Sequence, residues 1–216
     1  MTAKIMIVDD HPIFRAGLAN LISCDQRYEV VAEAAGATEA MGLLKKEAVQ
    51  LVIVDLTLAE GSGLQLIKRI HSYQPSIKIL VASMHDDMVY AERVLRAGAH
   101  GYINKEQAAS KVINAIEDVL RGSIYLHSDV ASHIVQRRTH SADRRPERPE
   151  EILSDRELEV FTLLGKGFSS KEIADQLCLS PKTVDSHRDH IKKKLGVSKN
   201  SVLIQRAVAW TFKTSP

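Results

Sequence analysis

Cysteine is almost missing from this 216-residue sequence: Cys24 and Cys178 are the only two. Two thiols so far apart exclude a disulfide-built scaffold and a thiolate metal site, and their apolar surroundings predict reduced, buried side chains. Long apolar runs are missing too, with nothing near the 18 or so residues that a bilayer-spanning helix requires. The opening Met-Thr-Ala-Lys-Ile-Met-Ile-Val-Asp-Asp-His turns acidic too early for a signal peptide, so a cytoplasmic protein without membrane contact is expected. Nor is there an excess of either charge: 29 Lys and Arg against 27 Asp and Glu leave +2. With 44% hydrophobic and 26% charged residues, the chain is expected to fold around packed cores, which excludes disordered and collagen-like classes.

The balanced total hides a division along the chain. Residues 1–135 carry 13 basic and 16 acidic side chains, whereas from Ser180 onward 8 basic residues face only 2 acidic ones. Any polyanion partner therefore belongs to the C-terminal end.

Over the first 120 residues, short Val- and Ile-rich runs alternate with amphipathic stretches. Lys4–Val8, Val30–Ala34, Leu51–Asp55, Ile77–Ala82 and Gly101–Ile103 predict buried parallel strands. Phe14–Ser23, Thr38–Glu47, Gly63–Ser72, Met88–Ala97 and Gln107–Leu120 predict helices between and after them. Strand-then-helix five times over implies an α/β doubly wound sheet of five parallel strands, with any ligand outside the strands' carboxyl ends. A further helix is expected near Ser128–Gln136, followed by a linker where Arg137–Glu151 loses apolar periodicity and gains two prolines. Beyond it the pattern is purely helical, with helices expected near Asp155–Leu164, Ser170–Leu177, Pro181–Leu195 and Ser198–Trp210. Ser180-Pro181 supplies an N-cap and an N1 proline for the third, and Gly196 closes it. The expected organisation is an α/β domain over 1–122, a tail helix and linker over 123–149, and an all-α four-helix domain over 150–216.

Five reactive side chains fall at predicted strand ends: Asp9 and Asp10 after the first, Asp55 at the third, Ser83 after the fourth and Lys105 after the fifth. Crowded carboxylates repel one another and invite a cation; an all-oxygen set with room for water suits Mg²⁺. With Lys105 and Ser83 beside it, such a site neutralises a transferring phosphoryl group and leaves Asp55 as nucleophile. Over residues 1–120 this pattern resembles the receiver domain of bacterial two-component response regulators, a flavodoxin-like fold. The resemblance implies that Asp55 accepts a phosphoryl group from a histidine kinase, that Asp10 holds Mg²⁺ directly and Asp9 through water, and that the carbonyl of Thr57 completes the ligands. It also assigns Ser83 and Lys105 to the phosphoryl oxygens, Tyr102 to an aromatic switch that turns inward as Ser83 moves, and Thr57 and His85 to control of the phosphoryl group's lifetime. Leu58-Ala59 stands where the family often has Met-Pro, and Glu106 where proline often follows the lysine.

Leu153-Ser-Asp-Arg-Glu157, Lys171-Glu-Ile-Ala174, Ser180-Pro-Lys-Thr-Val184 and Lys194-Leu-Gly-Val197 resemble the LuxR-type helix-turn-helix. Together with a receiver in front, they identify a resemblance to the NarL/FixJ subfamily, implying transcription regulation by a DNA-bound homodimer on paired half-sites. In the third helix Val184, His187, Ile191 and Leu195 form an apolar stripe, which leaves Lys182, Asp185, Ser186, Asp189 and Lys193 on the opposite side to face the major groove. Thr183, Arg188 and Lys192 flank that face and suit phosphate contacts. Asp185 is expected to read a base and Asp189 to pair with a basic neighbour. In the last helix Val202, Leu203 and Arg206 are the expected dimer contacts, with packing inside the domain as the competing role. No separate substrate turnover is expected. A haloacid dehalogenase-type phosphatase wants an Asp at position 57, where Thr57 stands, and a flavodoxin phosphate loop does not suit Asp9-Asp10-His11-Pro12.

Overall fold

The computed structural model describes residues 2–140 and 148–214, so the middle of the expected linker, 141–147, lies outside the described residues. The chain divides into two compact units, Met1–Val135 and Gln136–Pro216.

The first unit is built on one sheet: β1 (Ala3–Val8), β2 (Tyr28–Ala34), β3 (Leu51–Val54), β4 (Lys78–Ser83) and β5 (Gly101–Asn104). Their order is β2-β1-β3-β4-β5 and every pairing is parallel, as expected for a doubly wound sheet. Strands β1, β3 and β4 are almost wholly buried, which requires helices on both faces. On one face Ile5, Ile7, Leu51, Ile53, Leu80, Ala82 and Ile103 share a core with Leu18 and Ile22 of α1 (Pro12–Ser23) and with Val112, Ala115, Ile116 and Val119 of α5 (Lys105–Leu120). Side chains alternate along each strand, so Met6, Val8, Val52, Val54, Ile79 and Val81 face the other way. That leaves α2 (Ala37–Leu43), α3 (Gly63–Tyr73) and α4 (Asp87–Arg96) to bury them.

Helix starts are set by local chemistry. Asp86 accepts from the Met88 amide at 2.8 Å to open α4, and Asn104 accepts from the Glu106 amide at 2.9 Å to open α5. That second cap makes Lys105 the first helical residue and Glu106 the second. After α5 the chain returns along β5: the Tyr102 amide donates to the Tyr125 carbonyl at 2.9 Å and the Tyr125 amide to the His100 carbonyl at 3.0 Å. The helix α6 (Ser128–His140) follows, running past its expected end at Gln136.

Among the described residues, the second unit carries helices and no strand: α7 (Pro149–Ile152), α8 (Asp155–Gly165), α9 (Ser170–Gln176), α10 (Pro181–Leu195) and α11 (Asn200–Thr214). Ser154 with Glu157 and Ser169 with Glu172 form reciprocal capping boxes at α8 and α9. Gly196 closes α10 at φ 65°, in the left-handed region that glycine tolerates. Leu158, Phe161, Ile173, Val184, Ile191, Leu203 and Ala207 are fully buried, and the Trp210 ring packs 5.7 Å from that of Phe161. The one-turn α7 falls in a stretch expected to be linker: Pro149 sits at a first-turn position, and Glu150 accepts from the Trp210 indole at 2.9 Å.

Two expectations need correcting. Both cysteines are free, but they are exposed rather than buried. Cys24 is the C-cap of α1, and Cys178 takes a positive φ of 53° in the turn between α9 and α10. Leu203, expected at a dimer contact, is fully buried within its own unit, because the α11 stripe packs on α8 while Val202 and Arg206 stay exposed.

Candidate functional site

Sheet twist and strand order bring the ends of β1, β3, β4 and β5 to one edge, and the reactive side chains with them. Asp9 and Asp10 follow β1, Asp55 follows β3, Ser83 is the last residue of β4, and Lys105 opens α5 directly after β5. Lys105 Nζ lies 2.6 Å from Asp9 Oδ2 and 2.6 Å from Asp55 Oδ2, bridging two carboxylates that are each almost fully buried. The remaining oxygens accept backbone amides: Asp9 Oδ1 from His11 at 2.9 Å, Asp55 Oδ1 from Thr57 at 3.2 Å. Burial pushes the Asp55 carboxyl above its ordinary range, and the Lys105 ammonium pulls it back.

Ligand atoms of Asp9, Asp10, His11 and Asp55 lie within 4.8 Å of one another. Asp10 Oδ1 is buried without a hydrogen bond, with His11 Nδ1 standing 2.8 Å away. A buried carboxylate oxygen left in this way, beside two more carboxylates, fits a cation held by oxygens. The loop after Asp55 is drawn tight. Thr57 bridges Ser62, and the Gly63 amide donates to the Leu56 carbonyl at 3.0 Å.

A second cluster adjoins the first. Thr57 Oγ1 and His85 Nε2 are 3.0 Å apart, Ser83 Oγ accepts from the His85 amide at 3.3 Å, and the His85 ring stacks on Tyr90 with centroids 4.7 Å apart. Tyr102 is buried and its hydroxyl donates to the His85 carbonyl at 2.7 Å. Burial pushes that phenol well above its ordinary value, with a hydrogen bond to Ser83 acting the other way.

Two residues at this edge escaped the sequence reading. The Arg15 guanidinium donates to the Asp9 carbonyl at 2.5 Å and pairs with Glu33 at 3.2 Å; the Phe14 ring lies under the Lys105 ammonium, 4.5 Å from centroid to Nζ. The available signal was position, since both sit one helical turn past Asp10-His11 at the start of α1.

In the second unit, Val184 and Ile191 of α10 are buried, His187 and Leu195 are half-buried, and burial lowers the His187 imidazole pKa. Lys182, Asp185, Ser186, Asp189 and Lys193 are exposed, while Thr183, Arg188 and Lys192 are half-buried at the margins. Thr183 Oγ1 sits 2.8 Å from the Ser180 hydroxyl as part of the cap. The two acids have partners: Asp185 accepts from Ser170 at 2.9 Å and stands 3.7 Å from Arg188, while Asp189 contacts Lys192 at 2.8 Å. On α11, Arg206 donates to the Leu195 carbonyl at 2.6 Å, and Val202 stays exposed. Among the described residues no helix is long and apolar enough to cross a membrane.

Comparisons with known proteins agree with this division. Residues 5–117 match the response regulator receiver domain family, and residues 151–207 match the bacterial regulatory proteins of the luxR family. The oxygen regulatory protein NreC of Staphylococcus haemolyticus is 36% identical over 209 residues, covering 95% of this chain and 96% of that protein. RcsB from Salmonella enterica serovar Typhimurium, bound to promoter DNA in the presence of a phosphomimetic, is 27% identical with a TM-score of 0.69, covering 97% of this chain and all of the other. A structure of two RcsB dimers on two parallel DNAs is 29% identical with a TM-score of 0.59, over 95% of this chain and 97% of that one. An acidic pocket on a doubly wound sheet, joined to a helical unit with capped helices and a basic C-terminal end, thus belongs to a two-component response regulator of the LuxR family, with a receiver domain and a LuxR-type DNA-binding domain.

Proposed function

We propose that this response regulator is switched in the cytoplasm by a phosphoryl group transferred from a histidine kinase to Asp55, and that it then binds paired DNA half-sites as a homodimer. The observation that carries this reading is the bridging of Asp9 and Asp55 by Lys105 at 2.6 Å each, beside the unsatisfied Asp10 oxygen. Asp55 Oδ2 attacks phosphorus, the P–N bond to the donor imidazole breaks, and the imidazole leaves with its electron pair and takes up a proton. The Lys105 ammonium and the Ser83 hydroxyl donate to phosphoryl oxygens as charge builds there. Asp10, Asp55 and the carbonyl of Thr57, with Asp9 through water, would hold a Mg²⁺ ion, which would further neutralise those oxygens. Tyr102 answers the movement of Ser83 and passes it to the surface around α4 and β5. The protein's output is DNA binding; the phosphoryl group is lost by hydrolysis at Asp55.

On the DNA side, Lys182, Asp185, Ser186, Asp189 and Lys193 face the bases, with Thr183, Arg188 and Lys192 on phosphates. Val202 and Arg206 contribute to the dimer contact; the structure of RcsB dimers on DNA supports dimeric binding as such. The test uses a small-molecule phosphodonor with Mg²⁺ and intact mass measurement. Wild type should gain one phosphoryl group and Asp55→Ala none; full labelling of Asp55→Ala overturns the assignment. Selection from random DNA, with and without the donor, should enrich a paired sequence more strongly with it. Absence of any enriched sequence overturns the DNA reading.

A further inference from the structure

We propose that Phe14 is a positioning residue for Lys105, its ring face holding the ammonium on the line between Asp9 and Asp55. This inference rests on the reading above in which Lys105 meets the phosphoryl group. A lysine side chain has four rotatable bonds and three N–H donors, so by itself it locates its charge poorly. Here two directions are taken by Asp9 Oδ2 and Asp55 Oδ2 at 2.6 Å, and the Phe14 ring lies 4.5 Å from Nζ. The side chain of Lys105 is only 5% exposed, so water cannot hold the charge instead.

A ring face suits this position better than either alternative. A polar side chain would compete with the carboxylates for the ammonium protons. An aliphatic one would fill the space but exert no attraction on a cation, whereas the aromatic quadrupole attracts it, most strongly when water is excluded. Phe14 is itself anchored, packed against the core shared by α1, α5 and one face of the sheet. Its attraction therefore persists when Asp55 is converted to an acyl phosphate and Lys105 shares its protons with the new oxygens. The acidic pair supplies negative charge to the pocket, and Phe14 fixes where the compensating positive charge sits.

The experiment replaces Phe14 with mono-, di- and trifluorophenylalanine, which keep shape and apolar character while weakening the ring quadrupole in steps. Two quantities are read. The exchange of the Lys105 ammonium protons with water is followed by NMR in the resting protein, where no phosphoryl chemistry is involved. The kcat/KM for labelling by the small-molecule donor is measured at saturating Mg²⁺. Exchange should accelerate and labelling should slow step by step, by about tenfold at three fluorines, while the melting temperature holds. Phe14→Leu should slow labelling comparably, and Phe14→Trp should restore it. Flat exchange and flat rates across the series overturn the proposal, as does faster exchange with unchanged labelling. A wild-type protein that takes no label on Asp55 overturns the phosphoacceptor reading instead, and the exchange series still decides whether Phe14 holds Lys105.

Discussion

Gly63 at the start of α3 lies so close to Asp55 that a Cβ there would stand 2.0 Å from the Asp55 carbonyl oxygen and 2.6 Å from the Leu56 Cα. Both obstacles are backbone, so neither can rotate away. Gly63→Ala must push α3 off the phosphoacceptor loop, breaking the 3.0 Å bond from the Gly63 amide to Leu56. The expected result is a receiver destabilised by about 1–3 kcal/mol or more, with slower labelling of Asp55. Gly17 on the exposed side of α1 is the control. Nothing lies within 4 Å of its added Cβ, so Gly17→Ala should raise stability by about 0.5–1 kcal/mol with labelling unchanged. Denaturant unfolding of both variants decides it, and equal stabilities would mean that the close approach relaxes at no cost.

How far the sequence could be read depended on the kind of constraint. Asp9, Asp10, Asp55 and Lys105 were legible because strand ends converge in any doubly wound sheet, and apolar runs mark strands well. The strand order β2-β1-β3-β4-β5 was not legible in this way, because apolar runs mark strands without saying which of them pair. Phe14 was not legible as part of the site, since apolar spacing puts a residue on a helix face without saying which charge lies above it. Leu203 and Val202 adjoin in the sequence, yet one is fully buried and the other exposed; periodicity alone does not divide an amphipathic helix so finely. Cys178 was misread because an apolar neighbourhood in the sequence can still end in a tight left-handed turn that faces water.

Thr57 and His85 touch at 3.0 Å, each two residues past a group assigned to the phosphoryl site. On the proposed reading of Asp55 as phosphoacceptor, this contact would overhang the acyl phosphate and the water that attacks it. Replacing both with alanine should speed dephosphorylation by about an order of magnitude, or about 1.4 kcal/mol in barrier, with little change in labelling yield. His85→Phe, which keeps the stack on Tyr90, should retain the Tyr102 bond to the backbone carbonyl at position 85 while removing the bond to Thr57. Decay of the labelled protein is followed by mass, and an unchanged rate in the double variant counts against the assignment.

Glu157 joins α8 to the end of α10: its Oε2 lies 2.6 Å from Lys194 Nζ and accepts from the Ser154 amide at 2.7 Å. Burial raises the Glu157 pKa, but Lys194 and Ser154 together hold it below its ordinary value of 4.5. A depressed folded pKa gives stability that is fully present above the unfolded value and fades as pH falls below it and through the folded one. Unfolding of this domain, followed by the fluorescence of Trp210, the only tryptophan, should therefore show stability declining below about pH 5. Glu157→Gln should lower stability at pH 7 by about 1–3 kcal/mol and flatten that decline. An identical decline in the variant would assign it to other carboxylates.

Asp185 and Asp189 set acids on the helix proposed to face DNA, and their partners distinguish them. Asp189 contacts Lys192 at i+3, not Lys193 at i+4, and the ion pair holds its carboxyl below the ordinary range. Asp185 is held from outside its own helix: Ser170 donates to it at 2.9 Å, and Arg188 in turn donates to the Ser170 hydroxyl at 2.5 Å. A carboxylate has two oxygens with about four acceptor sites, so this clamp occupies part of its capacity and fixes its rotamer, leaving acceptors for a cytosine N4 amino group. Asp189→Ala should tighten binding to all sequences alike, because it removes a repelled charge and frees Lys192 for phosphate. Asp185→Ala should instead relax preference at one base position per half-site by about 1–3 kcal/mol, and Ser170→Ala should relax the same position by less. Affinities against single-base changes in a selected site, at fixed salt, separate the two roles. Uniform tightening by Asp185→Ala with no altered position would mean that Asp185 braces α9 against α10 and reads nothing.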